Sequence, residues 1–176
     1  MAPLMEALEA VCPVHGVAIG RRNDRNTWRI DYKSEATDQQ KAAAQEVLLA
    51  FDIDAPTAGM IDAERDRRLL HIAFGGKLYD FCDAAQSDKN IAGAATLALA
   101  AIIAGAQPGN LQWAGTGADF CWIAHDNSMV PMDAQTTLAF GQHAAVWKAQ
   151  HVFTARALKD MRPIPNDYDS DARWPS

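Results

Sequence analysis

The sequence has few of the features that mark secreted, disulfide-rich or membrane-spanning proteins. Its 176 residues include only three cysteines, an odd number without the spacing of a disulfide framework. The first ten residues carry Glu6 and Glu9 and lack the apolar core of a signal peptide. The longest apolar run, residues 91–106, is alanine-rich and too short to cross a bilayer. We therefore expect a chain made in a reducing cytoplasm and not inserted into a membrane.

Positive charge is also scarce. Lysine and arginine number 16 against 22 acidic residues, which gives a net charge of −6. Surfaces that bind nucleic acid usually require clustered lysine and arginine. The main basic cluster, Arg21, Arg22, Arg25 and Arg29, is interrupted by Asp24. We predict no nucleic-acid partner.

No arrangement of residues points clearly to catalysis or metal binding. Cys12 with His15 and Cys121 with His125 each offer a thiol and an imidazole, but neither pair repeats at zinc-finger spacing. His143 and His151 would lie about 12 Å apart on one helix, too far to share a metal ion. The aspartates, Asp80 among them, suit turns and helix caps. We predict no enzyme activity, no cofactor and no metal site.

The pattern that is present indicates two folded parts. In the first, residues 1–55, helical spacing is followed by two alternating apolar segments, the second of which is residues 26–32. Ser34 or Thr37 then caps a helix that runs to about Phe51. We predict a small β-hairpin-plus-helix attachment unit.

Residues 56–70 are predicted to be a linker and a charged connector helix, since Pro56 and Gly59 precede a run of alternating charges. Residues 162–176 are rich in proline and aspartate, which predicts an extended C-terminal arm. Its Tyr168 and Trp174 could occupy the pockets of a neighbouring protein, as aromatic side chains at interfaces often do.

Residues 71–161 are predicted to form a helical C-terminal domain with short antiparallel hairpins packed on two long helices. A Gly75-Gly76 turn joins two short strands. Ser87 or Asp88 would cap a helix that ends near Ile103, and Asp133 would cap the longest helix. Further strands are expected at residues 111–113, 120–123 and 129–132. The predicted fold class is α+β, and the candidate partner-binding residues are Trp28, Tyr32, Tyr168 and Trp174.

Within residues 65–159 an ordered set of short motifs resembles a domain of unknown function associated with bacteriophage tails and tail fibres. These motifs are Phe74-Gly75-Gly76, Tyr79-Asp80-Phe81, Ser87 with Asn90-Ile91-Ala92-Gly93-Ala94, Trp113, Met132-Asp133, Phe140-Gly141-Gln142-His143-Ala144-Ala145 and Arg156-Ala157-Leu158-Lys159. The N-terminal part, especially Thr27-Trp28-Arg29-Ile30-Asp31-Tyr32, is similar to segments that precede this domain in other phage structural proteins.

The resemblance implies a non-enzymatic structural protein of a phage virion, located in a tail, baseplate or tail fibre. Its partners would be other tail or baseplate proteins in a symmetric multi-copy assembly. One alternative is a tail-fibre assembly chaperone that is absent from the mature virion. Another is a host-surface glycan-binding module built from Tyr79, Trp113 and Trp122.

Overall fold

The structure is a computed structural model that describes residues 2–22 and 24–176, so Asn23 of the predicted first turn lies outside it. The elements, in chain order, are α1 (Ala2–Glu9), β1 (Val14–Ala18), β2 (Arg29–Tyr32), α2 (Asp38–Ala50), α3 (Ala58–Arg68), β3 (His71–Phe74), β4 (Lys77–Asp80), α4 (Ser87–Ile103), β5 (Cys121–Ile123), β6 (Met129–Pro131) and α5 (Ala134–Asp160). Each sheet is a two-stranded antiparallel pair. The α+β class is confirmed.

The chain divides into two compact units, residues 1–55 and 56–176. Among the described residues, no helix combines the length and hydropathy needed to cross a membrane.

The first unit is a hairpin of β1 and β2 with α1 and α2. Thr37 caps α2 in a capping box, because its hydroxyl accepts from the Gln40 amide while the Gln40 side chain accepts from the Thr37 amide. β2 begins at Arg29 and not at Asn26, since residues 25–27 form a 3-10 turn. The core contains Leu4, Leu8, Cys12, Val14, Trp28, Ala36, Ala44 and Leu48.

The second unit is organised by α4 and α5, which pack antiparallel. Lys148 bonds Asp88 (2.7 Å) near the start of α4, and Ala98 shares a buried cluster with Ala134 nearer its end. At the crossing, a Cβ added to Gly141 would collide with the Cβ of Ala95. The glycine therefore lets the two helix backbones approach closely.

Two local predictions in this unit are wrong. Neither Ser87 nor Asp88 is the N-cap of α4, because Gln86 takes that position with a left-handed φ of 60°. The cap bonds come from the Asp83 carboxylate, which accepts from the Ser87 amide (2.9 Å) and hydroxyl (3.0 Å). Residues 111–113 form turns and not a strand, and Trp113 donates from its indole to the Met132 carbonyl (2.9 Å).

The predicted connector helix and extended arm also differ from the structure. Helix α3 packs on α5 within the second unit, and Ile61 is fully buried with Ala155 and Leu158. The chain after α5 folds back onto the same cluster and adds Trp174 to it. Arg68 holds this return, since its guanidinium bonds the Asp171 carboxylate and the Asp169 carbonyl, both at 2.8 Å.

Candidate functional site

The two predicted partner-binding residues of the first unit contribute mainly to its own packing. Trp28 is only 4% exposed, and its indole donates to the Arg21 carbonyl (2.9 Å) beneath the Arg25 guanidinium. Tyr32 is half-buried, and burial raises the pKa of its phenol. The hairpin uses the Trp28 side chain for its own core, and partner binding by Trp28 and Tyr32 stays a prediction.

The two predicted residues of the C-terminal arm are also held within their unit. Trp174 is 5% exposed and donates from its indole to the Tyr168 carbonyl (2.7 Å). Its ring stacks on His151 at 5.9 Å between centroids. Tyr168 is half-buried against the same cluster. Trp174 is therefore a core residue and not an anchor for a neighbouring protein, which corrects the expectation drawn from the proline-rich sequence.

The aromatic platform of the glycan-binding alternative is likewise missing from the surface. Tyr79 is 1% exposed and packs against the Phe140 ring, and Trp113 is buried beside Phe120. Trp122 is half-buried. Sugar recognition by Tyr79 and Trp113 would require aromatic faces that are already covered by the core.

The outer face of α4 is unusually apolar for an exposed helix surface. Leu97 is 50% exposed, Leu99 45% and Ile103 79%. The other exposed residues of this helix after its first turn are small: Ala92, Gly93, Thr96 and Ala100. The Thr96 hydroxyl donates to the Ala92 carbonyl of its own helix (2.9 Å). This surface, which we call the α4 outer face, presents almost no free polar group.

Charged residues are absent from most of α4 and from the segment that follows it. No charged residue occurs between Lys89 and Asp119 in the sequence. The outer face of a surface helix normally carries charged and polar side chains, and a helix that is apolar on all sides is normally buried. The α4 outer face therefore has the composition of an interface.

A shallow groove of about 230 Å³ lies where α4 and α5 meet, with Asp88 and Lys148 in its wall. The bond to Asp88 raises the pKa of the Lys148 ammonium, so the lysine stays protonated. Burial raises the pKa of the neighbouring Cys82 thiol. A protonated amine and a protonated thiol are poor nucleophiles, so these groups are not activated for chemistry.

A third feature is a cluster of two histidines and one carboxylate. His71 on β3 lies directly across from Asp80 on β4, and His125 follows β5. The Asp80 Oδ1 atom lies 3.2 Å from His71 Nδ1 and 2.7 Å from His125 Nδ1. The two imidazole rings are 4.4 Å apart between centroids.

Backbone hydrogen bonds fix the positions of all three residues. Phe81 donates to the Leu70 carbonyl (2.8 Å), so His71 and Asp80 form a non-hydrogen-bonded pair, in which side chains are closest. The His125 amide donates to the Leu78 carbonyl (2.9 Å), which ties its turn to β4.

The next residue in that turn, Asp126, pairs with Lys77 at 2.9 Å. Bonds from Ser128 and Lys77 lower the pKa of the Asp126 carboxyl. The turn that presents His125 is therefore secured both through its backbone and through this ion pair.

Sequence reasoning missed this cluster because Asp80 was assigned to turns and caps. The signal for one pair was present: a two-residue Gly75-Gly76 turn places residue 74 opposite 77 and therefore 71 opposite 80. The contribution of His125 carried no comparable signal, since it comes from another hairpin far along the chain.

Comparison with known proteins yields one match. A family model described as "Domain of unknown function (DUF4376)" matches residues 52–172. No curated protein sequence and no solved structure matches the chain. The matched range covers nearly all of the second unit and therefore includes the α4 outer face and the histidine–aspartate cluster.

Proposed function

We propose that this chain, which belongs to the DUF4376 family, is a non-enzymatic structural component of a bacteriophage virion. It would act in a tail, baseplate or tail fibre as a connector or attachment protein. Its location would be the virion, after synthesis in the host cytoplasm. The resemblance of its motifs to tail-associated domains motivates the phage assignment.

The observation on which we base a structural role is the α4 outer face. An exposed helix surface with Leu97, Leu99 and Ile103 and no charge costs solubility unless another protein covers it. Within the second unit the inner face of α4 already packs on α5, so the outer face is free for an intermolecular contact.

We propose that a second copy of this chain covers the α4 outer face. The net charge of −6 makes most pairs of surfaces on two copies repel. The α4 outer face is uncharged, so it can meet its own copy without that repulsion, as an isologous contact requires. Such self-association would produce the multi-copy assembly expected of a tail component.

The first test asks whether the chain is in the particle. Purified virions of the phage that encodes it should contain the chain in several copies, as measured by quantitative mass spectrometry. If the chain is abundant in infected cells and missing from virions, the structural role is wrong and the assembly-chaperone alternative takes its place.

The second test concerns the interface. Ala100→Glu places a carboxylate on the α4 outer face, and Ala157→Glu is a matched control because both alanines are exposed and three residues from a helix end. Sedimentation velocity should show that the parent chain self-associates. A100E should weaken this association by at least about tenfold, which corresponds to ~1.4 kcal/mol. A157E should leave it unchanged. Equal effects of the two variants, or a monomeric parent chain at high concentration, would exclude the α4 contact.

A further inference from the structure

We propose that His71, Asp80 and His125 bind one divalent transition-metal ion of the zinc type. This inference is independent of the proposed virion role, since it rests on other residues of the second unit. The three side chains come from β3, β4 and the turn after β5, so a bound ion would join two hairpins.

The spacing of the ligand atoms fits such an ion. One nitrogen or oxygen atom from each residue lies within 4.8 Å of the other two. Zinc binds histidine nitrogen and carboxylate oxygen at about 2.0–2.2 Å, so ligand atoms of a tetrahedral site are separated by roughly 3.3 Å. The distances from Asp80 Oδ1 to His71 Nδ1 and to His125 Nδ1, 3.2 Å and 2.7 Å, are both somewhat shorter than that separation. Small side-chain rotations would complete the geometry.

An unsatisfied nitrogen gives a second, separate reason. His71 Nδ1 is buried and has no hydrogen-bond partner among the described residues. It lies 3.2 Å from Asp80 Oδ1 without forming a hydrogen bond to it, and that carboxylate oxygen also pairs with His125 Nδ1. Buried polar atoms in native proteins are nearly always satisfied, by protein, water or an ion. A cation between the three groups would accept a lone pair from each.

The ligand types restrict the choice of metal. Imidazole nitrogen suits zinc, copper, nickel and iron, whereas magnesium and calcium require sets of oxygen ligands. The side chains of His71, Asp80 and His125 are between 41% and 49% exposed. The remaining coordination positions would therefore be filled by solvent.

The expected consequence is structural. The His125 turn is held to β4 by the backbone bond to Leu78, by the bonds from Lys77 to Asp126 and Ser128, and by the contact between His125 and Asp80. A metal ion would add a direct link between this turn and the β3–β4 hairpin. A ligand that binds only the folded state raises the unfolding temperature, so the metal should stabilise the second unit.

The test uses the full chain, stripped of metal with EDTA and titrated with Zn²⁺ by calorimetry. We expect one equivalent of Zn²⁺ to bind, the unfolding temperature to rise, and Mg²⁺ to have no effect. Asp80→Asn and His125→Gln should each weaken zinc binding by about a hundredfold or more. Even residues that only hydrogen-bond to a metal ligand typically contribute about 10–100-fold to metal affinity. The control His15→Ala removes an exposed histidine of the first unit and should bind zinc as the parent chain does.

Zinc binding through a cysteine thiolate is the competing explanation, and a titration with Co²⁺ distinguishes it from binding by histidine and aspartate. Co²⁺ bound by nitrogen and oxygen should show visible absorption without a thiolate charge-transfer band. Such a band would overturn the assignment, as would the absence of Zn²⁺ binding to the parent chain. Unchanged binding in both D80N and H125Q would overturn it too. Because the His125 side chain is half exposed, H125Q also serves if D80N fails to fold.

Discussion

Two glycines inside helices of the second unit should respond to the same substitution with opposite signs. A glycine-to-alanine change in a helix interior normally stabilises by about 1 kcal/mol, because glycine loses more backbone entropy on folding. At Gly93 of α4 a new Cβ meets nothing within 4 Å. We therefore expect Gly93→Ala to raise the free energy of unfolding by roughly 0.5–1 kcal/mol.

Gly141 of α5 is different, because a new Cβ there would overlap the Cβ of Ala95. Two carbon atoms are most stable about 3.5–4.0 Å apart, so the helices must separate. The Cβ would also lie 3.7 Å from the Ile91 carbonyl oxygen, which limits how far it can shift. Overpacking of this kind costs typically 1–3 kcal/mol. After a propensity gain of about 1 kcal/mol is subtracted, Gly141→Ala should destabilise by up to about 2 kcal/mol.

Urea unfolding followed by tryptophan fluorescence measures the free energy of unfolding of both variants. Four of the five tryptophans lie after residue 55 and therefore report on the second unit. In the background Ala95→Gly, the Gly141→Ala change should recover most of its cost, because the opposing methyl group is gone. If G93A and G141A shift stability in the same direction, the close approach of α4 and α5 at Ala95 is wrong.

Two further predictions concern Trp174 and His151, whose rings stack where the chain after α5 folds back on its own unit. Trp174→Ala should lower the free energy of unfolding by about 3 kcal/mol, the usual cost of truncating a buried tryptophan, whereas an arm without packing would show almost no change in urea unfolding. Burial, with the nearby Arg68 charge, lowers the pKa of His151, so the folded state binds fewer protons than the unfolded one. Stability should fall as the pH drops from about 7.5 to 5.5, across the unperturbed pKa near 6.5, and the fall should be smaller in His151→Gln. A pH dependence identical in H151Q would contradict the burial of that imidazole.

Local structure was predictable from the sequence where residues close together in the chain determine it. The Gly75-Gly76 turn is confirmed, and both glycines have positive φ. Asp133 caps α5 through the Thr136 amide (2.8 Å) as its position predicts. The apolar stripe of α5 includes His151 and so predicts a buried histidine bonded to a backbone carbonyl; its side chain is buried, with Nδ1 2.9 Å from the Trp147 carbonyl.

Features that depend on distant residues were not predictable in this way. Helical spacing continued from Ile91 and Ala95 predicts that Leu99 lies on the buried stripe of α4, but the buried residue is Ala98, while Leu99 is exposed. The reason is the close approach to α5, which leaves room for small side chains only. The C-terminal return depends on Arg68, about a hundred residues before its partner Asp171. Proline and aspartate in that segment exclude a helix, but they do not exclude packing.

The contrast between α3 and α4 gives the strongest internal argument for an interface. Both helices bury one face in the second unit, with Ile61 in α3 and Ile91 in α4 as fully buried residues. The outer side of α3 follows the usual pattern, since it carries the charged residues Asp66 and Arg67, whose side chains are 66% and 62% exposed. Nothing in the packing of α4 on α5 prevents the same pattern at exposed positions such as Ala100. A charge there would improve solubility without touching the core. The absence of charge on the α4 outer face is therefore not required by the fold of the single chain, and the proposed contact with another copy would explain it.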